Sequence, residues 1–131
     1  MGLARPISLK NESIEAIRAF APEAVFGAVV HDTTKGSVVH VRPPGSAVSR
    51  AAEAALPAWV VSPRFEPGTE AHLDPWPKAR AFMDLVDGSF NYHVHGRDGF
   101  AALCRLVDSV DCYRFSYGRL EDAVRLFDRW G

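Results

Sequence analysis

The sequence predicts an α/β (α+β) fold, because apolar residues recur with two different periods along one chain of 131 residues. Runs in which every second residue is apolar, the period of a half-buried strand, interleave with runs spaced i, i+3, i+4, i+7, the period of a helix with one inward face. Proline and glycine fall between the runs, at Pro22, Pro43-Pro44, Pro57 and Gly88, where they end elements. With 47% apolar and 24% charged residues, the chain has the balance of a globular protein that builds its own core.

A short extended segment at 6–9 leads to Asn11, a residue type that caps helices, and Ile14, Ile17 and Phe20 then mark a first helix that ends at Pro22. The apolar run 24–30, the polar loop 31–36 and the run 37–42 read as a hairpin. Ser46 caps a second helix through Leu56, with Val48, Ala52, Ala55 and Leu56 inward. Trp59 to Phe65 reads as another strand, broken or at a sheet edge, because Pro63 cannot donate to a ladder. Residues 5–66 thus follow the β-α-β-β-α-β order of ferredoxin-like domains.

The stretch 66–73, with Pro67-Gly68, is the expected linker, and Asp74-Pro75 pairs an N-cap with a first-turn proline. Trp76, Ala79, Phe82, Met83 and Val86 then line one face of a third helix. Residues 90–95 alternate as a strand. Asp98 opens a helix with Phe100, Leu103, Val107 and Val110 on one face. Residues 113–117 alternate again, and Leu120, Ala123, Val124, Phe127 and Trp130 form the inward stripe of a last helix. The expectation is a ferredoxin-like βαββαβ part continued by an αβαβα segment, with helices mainly on one face of a mixed sheet. It is a single domain over 1–131, with sub-lobes at 1–66 and 74–131.

Charge and composition narrow the function. Fifteen Lys+Arg against 16 Asp+Glu give a net charge of −1, which excludes a uniformly basic duplex-coating protein. No run approaches the roughly 18 apolar residues of a membrane span, and the first residues lack the apolar stretch of a signal peptide. The expected location is cytoplasmic, with Cys104 and Cys112 as reduced thiols, since they have no C-x-x-C spacing. Lys35-Gly36-Ser37 opens like an RNA-binding strand motif, but the stacking aromatics are missing, so nucleic acid is not the favoured partner. There is no P-loop, G-x-G-x-x-G, H-E-x-x-H or G-x-S-x-G.

Strand alternation offers a candidate site. It places His40 with Arg42, Ser62 with Arg64, His93 with His95, and Arg114 with Ser116, each on the polar side of its strand. If those sides coincide, one sheet face is lined by His40, Arg42, Arg64, His93, His95 and Arg114, side chains suited to carboxylate and phosphate partners. Trp59 and Trp76 flank the proline-rich segment from Pro63 to Pro77, an aromatic loop of the kind that anchors a partner.

His93-Val94-His95 is the sharpest local pattern, since two imidazoles on one strand face can share a metal ion. It resembles the metal-binding triplet of the HUH endonucleases and transposases, in which a tyrosine attacks a DNA phosphate. That resemblance implies a divalent metal on His93 and His95, a third ligand from His40, His72, Asp32 or Glu66, and a nucleophile at Tyr113 or Tyr117. Arg114 or Arg64 would stabilise phosphate charge.

Weighed together, these features favour a small non-enzymatic protein that binds another protein and needs no cofactor. It would be an inhibitor, an immunity-type protein or a regulatory subunit, using the His/Arg-lined face. The alternative is a metal-dependent phosphodiester-cleaving enzyme built on His93 and His95, and a third reading is a small-ligand sensor. Oligomeric state leaves no mark in the sequence.

Overall fold

The computed structural model describes residues 5–90 and 92–130 and has the mixed α and β content the periodicities predict. The chain divides into two compact units, with the boundary in the sequence between Ala55 and Leu56. Each unit holds its own three-stranded sheet.

The first unit contains β1 (Ile7–Lys10), α1 (Glu12–Phe20), β2 (Val30–Thr33), β3 (Gly36–Val41) and the short α2 (Gly45–Ser49). Its strands run in the order β1-β3-β2, each antiparallel to its neighbour. Ile14 of α1, Val39 and Val41 are its buried apolar side chains, Val39 completely so. Alternation turns His40 to the opposite side, where it is exposed beside Ser8, its partner across the ladder.

Three expectations change here. The hairpin strand starts at Val30, and from the 24–29 run Phe26 makes an isolated bridge to Val41. The polar residues 31–33 belong to β2 because Thr33 builds the turn after them: its Oγ1 donates to the Gly36 carbonyl (2.6 Å) and accepts from the Lys35 N–H (3.1 Å). The second helix ends at Ser49, and Leu56, expected inside it, is 93% exposed. The order β-α-β-β-α-β does run from 7 to 65, but a split βαβ sheet does not form. β1 pairs β3 antiparallel and β4 belongs to the other sheet.

The second unit contains β4 (Trp59–Phe65), β5 (His72–Pro75), α3 (Lys78–Asp87), α4 (Tyr92–Ser109), β6 (Asp111–Tyr117) and α5 (Leu120–Trp130). Its sheet is mixed, in the order β4-β6-β5, with β4 parallel and β5 antiparallel to β6. A parallel pair needs a long crossover, and the chain supplies it with β5, α3 and α4 between β4 and β6. On one face Ala81, Val107, Val110 and Cys112 form a buried cluster, closed by Val60, Trp76, Phe82 and Leu85. Each buried valine there contributes about 1.5–3 kcal/mol of transfer free energy. The other face carries α5, whose Ala123 is buried and whose Phe127 and Trp130 meet Phe115 and Tyr113 edge to face (4.9 Å each).

Two elements differ from the sequence reading. Residues 72–75 form an edge strand, so the helix begins after Pro77 and not at Asp74-Pro75. The expected linker Pro67-Gly68 instead turns the chain from β4 toward β5. The segment expected as a strand at 90–95 is helical from Tyr92, and α4 is kinked at Gly96, whose φ of 46° and ψ of −120° interrupt the helix. Six alternating residues followed by a glycine mimic a strand, because the break hides the helical period. Among the described residues, no helix is long and apolar enough to cross a membrane.

Candidate functional site

β4 lies at the edge of its sheet, and two backbone bonds fix which way its groups point. The Glu66 N–H donates to the Tyr117 carbonyl, and on the far side of β6 the Trp76 N–H donates to the Cys112 carbonyl (2.8 Å each). Ladder bonding alternates along a strand whose two neighbours lie on opposite sides. Residues 60, 62, 64 and 66 therefore face β6. The backbone groups of Trp59, Val61, Pro63 and Phe65 face outward and, among the described residues, pair with no strand. Pro63 stands where its missing N–H breaks no internal bond, which is the edge alternative of the two the sequence offers.

Side chains of β4 alternate between two clefts. Toward α3, Ser62 pairs in register with Arg114, which in turn faces Asp74 on β5. The buried Ser62 Oγ donates to Asp84 Oδ2 (2.6 Å), and Arg114 Nη1 lies 3.9 Å from the same oxygen. The Arg114 guanidinium also sits 4.4 Å from the centre of the Trp76 ring, a cation–π arrangement. These groups border a cleft of about 360 Å³ whose lining includes Ser62, Pro63, Asp84, Asp87 and Arg114. Asp87 follows Asp84 by one helical turn.

Toward α5 the lining is apolar. Val61, Pro63, Leu120, Val124 and Phe127 border a cleft of about 450 Å³ that also touches Asp128. Trp59 stacks on Trp130 at 4.2 Å and keeps 43% of its surface exposed, while Phe65 lies edge-on to Tyr117 at 5.5 Å and is 59% exposed. Val61 and Pro63 line both clefts, so the two cavities flank the same stretch of open edge.

The residues named from the sequence do not gather on one sheet face. His40 and Arg42 belong to the first unit, at and just beyond the end of β3. Arg64 and Arg114 do share a side of the second sheet, as alternation predicts, but that side is covered in part by α3 and α4. Both are engaged within the protein: Arg64 pairs with Glu66 (3.0 Å), and Arg114 with Asp84 and Trp76. Trp59 and Trp76 sit on opposite faces of the sheet, one against Trp130 and the other in the cluster around Cys112. They do not form one aromatic patch.

His93 and His95 lie in the first turn of α4, both exposed. Helical neighbours two apart project about 200° around the axis, so the shared face that the metal reading required is lost. Among the described residues, no group of three His, Cys, Asp or Glu side chains is placed to hold a metal ion. His72 pairs with Asp74 (3.3 Å) and Glu66 with Arg64. Tyr113 and Tyr117 pack against Trp130 and Phe115 on the α5 side. Of the two thiols, Cys112 is buried, and burial pushes its pKa above the ordinary value of 9.0, with Lys78 opposing and Asp111 reinforcing the shift.

The sequence reading does not single out Asp84 and Asp87, and it takes the apolar stripe of α5 as plain core. The available signal was the i, i+3 spacing of the two carboxylates on a helix next to an edge strand. Comparison with protein-family models, with curated proteins and with solved structures returns no match for the chain.

Proposed function

We propose that this chain is a small non-enzymatic protein that binds another protein, in the manner of an inhibitor, an immunity-type protein or a regulatory subunit, and that the partner adds to the outward edge of β4. The observation that carries this reading is the unpaired backbone of Trp59, Val61, Pro63 and Phe65 at the sheet edge. An extended segment laid along such an edge gains main-chain hydrogen bonds, while side-chain pockets beside it select its sequence. Both ingredients adjoin Val61 and Pro63. The polar groups nearby are occupied with one another, Ser62 and Arg114 on Asp84 and Arg64 on Glu66.

Selection from a library of displayed random peptides tests this, with the wild-type chain, Val61→Pro and Val61→Ala as baits. The Val61 N–H points away from β6, so proline there removes an outward donor and places a ring in the path of an added strand without breaking the internal ladder. Alanine keeps the N–H and controls for the lost side chain. Binders that lose at least tenfold in affinity on Val61→Pro and much less on Val61→Ala are expected. A selection whose binders are indifferent to the proline, or that yields none, overturns the reading.

A further inference from the structure

We propose that the segment taken up by the β4 edge belongs to a partner protein and alternates apolar with basic residues. This rests on the edge-binding reading and adds the chemistry of the occupant. A strand paired to β4 sends its own side chains alternately to the two faces of the sheet. On the α5 face they meet the apolar cleft of Val61, Leu120, Val124 and Phe127. On the α3 face they meet a cleft that holds the carboxylates of Asp84 and Asp87 against the single guanidinium of Arg114.

The balance on that second face is negative. Arg114 is committed to Asp84, at 3.9 Å, and to the Trp76 ring, so it neutralises one carboxylate and leaves Asp87 to the occupant. Arg64, the other cation on this side of β4, is held by Glu66 at 3.0 Å. Asp128 at the apolar cleft adds negative charge on the opposite flank. An acidic or phosphorylated segment would bring like charges to both flanks. A segment carrying Lys or Arg at every second position places its cations beside Asp87 and its apolar side chains in the α5 cleft. Because Val61 and Pro63 line both cavities, two consecutive residues of the occupant straddle the edge and enter one cleft each.

The test uses three fluorescein-labelled peptides of equal length, read by fluorescence polarisation at low salt. One alternates Val or Leu with Lys, the second replaces each Lys by Glu, and the third scrambles the Lys peptide so that the alternation is lost. The proteins are the full wild-type chain, Asp87→Asn and Val61→Pro. Asp87 is exposed at the end of α3, so its substitution leaves the fold intact. The Lys peptide is expected to bind wild type at least tenfold more tightly than the Glu peptide and the scrambled one. It should lose three- to tenfold on Asp87→Asn, and its advantage should shrink as salt screens the pair.

A Glu peptide that binds as tightly as the Lys peptide, or a Lys peptide indifferent to Asp87→Asn, overturns the proposal. If that binding still requires the Val61 N–H, edge binding itself stands. Binding of no peptide in a proline-sensitive way overturns both readings. A concentration-dependent dimer of the chain, dissolved by Val61→Pro, makes a second copy the occupant and likewise overturns the proposal.

Discussion

The side-chain oxygen of Asn11 fills the space in which a Cβ on Gly36 would stand. Asn11 precedes α1 and reads from the sequence as its N-cap, yet its side chain caps no helix N–H. It reaches the β2–β3 turn instead. Its Oδ1 accepts from the Ser37 N–H (3.1 Å), its Nδ2 donates to the Lys35 carbonyl (3.3 Å), and its own N–H donates to the Ser37 carbonyl (3.0 Å). Gly36 adopts a φ of 80°, a conformation costly for any residue with a Cβ. Gly36→Ala is therefore expected to destabilise the first unit by about 1–3 kcal/mol, and Asn11→Ala by about 1 kcal/mol for its lost hydrogen bonds. With the Asn11 side chain gone the alanine methyl has room, so the double variant should lose less than the two single losses added. Urea denaturation of the four proteins checks this, and strict additivity would contradict the contact.

The phase of the β4 ladder makes neighbouring valines respond differently to the same substitution. The Val60 N–H faces β6, and its side chain closes the cluster around Ala81 and Cys112. Val60→Pro removes an internal ladder bond and is expected to cost about 3 kcal/mol or more. Val61→Pro removes none and should stay within about 1 kcal/mol of wild type by the net worth of a single contact. Hydrogen exchange should report the same alternation without mutation, with Trp59 and Val61 amides expected to exchange fast and Val60 and Ser62 amides slowly. Equal destabilisation by the two prolines would place the edge on the wrong side.

Pro63 limits what that edge can do. An unblocked edge strand invites pairing with another copy of itself, and proline at an outward position withdraws a donor from the middle of β4. Pro75, the last residue of β5 on the opposite edge, likewise has no N–H to offer. Pro63→Thr restores the N–H at no internal cost and is expected to raise the chain's tendency to dimerise, read as a concentration-dependent sedimentation coefficient. A variant that stays as monodisperse as wild type would assign the proline to local shape alone.

Much of this architecture is legible in the sequence because its elements carry long, regular signals. The stripe Leu120, Ala123, Val124, Phe127 and Trp130 predicts α5, and the alternation of Tyr113, Phe115 and Tyr117 predicts β6. Pro63 marks the strand at 59–65 as broken or at a sheet edge before any partner is known, and the fold selects the edge. The signal fails where a breaker shortens the window. Gly96 cuts α4 so that residues 92–95 show less than two turns, and Asp74-Pro75 satisfies the chemistry of a helix start while ending β5. Pairing partners are the larger gap: nothing local says that β4 leaves β1 and β3 for β6. The expected cationic face fails for that reason, since it required His40, Arg64, His93 and Arg114 to share a sheet. The site proposed instead joins an edge, a helix and two carboxylates that meet only in three dimensions.

Ser62, Asp84 and Arg114 form a connected group, so their contributions should not add. Ser62→Ala removes a short hydrogen bond from a buried hydroxyl and is expected to cost about 1 kcal/mol. Asp84→Asn keeps an acceptor for Ser62 but withdraws the counter-charge of Arg114. That charge is partly solvated, and its loss should cost less than about 1 kcal/mol. In Asp84→Ala both Ser62 and Arg114 lose their partner, and adding Ser62→Ala to it should then cost almost nothing. A double-mutant cycle on thermal stability reads the coupling, and a full independent penalty for Ser62→Ala in the Asp84→Ala background would show that the two do not act as a pair.

The two cysteines should separate cleanly by reactivity and by pH. Cys104 is partly exposed on α4, while Cys112 is buried in the cluster with Ala81, Val107 and Val110. Burial disfavours the Cys112 thiolate and raises its pKa above 9.0, against the pull of Lys78 and with a smaller push from Asp111. The thiolate is the reactive form, so a thiol reagent at neutral pH is expected to modify Cys104 in the native chain and Cys112 only after unfolding. The same shift fixes the sign of a stability change. Above pH 9.0 the unfolded chain releases the Cys112 proton while the folded chain still holds it, so the unfolded state binds fewer protons and stability falls as pH rises. The decline begins at the unfolded value, continues to the raised folded value, and is absent below the unfolded value. Cys112→Ala should flatten the alkaline limb of the stability curve although it lowers stability at pH 7 by the packing it removes. An alkaline decline that survives Cys112→Ala unchanged would assign it to other groups.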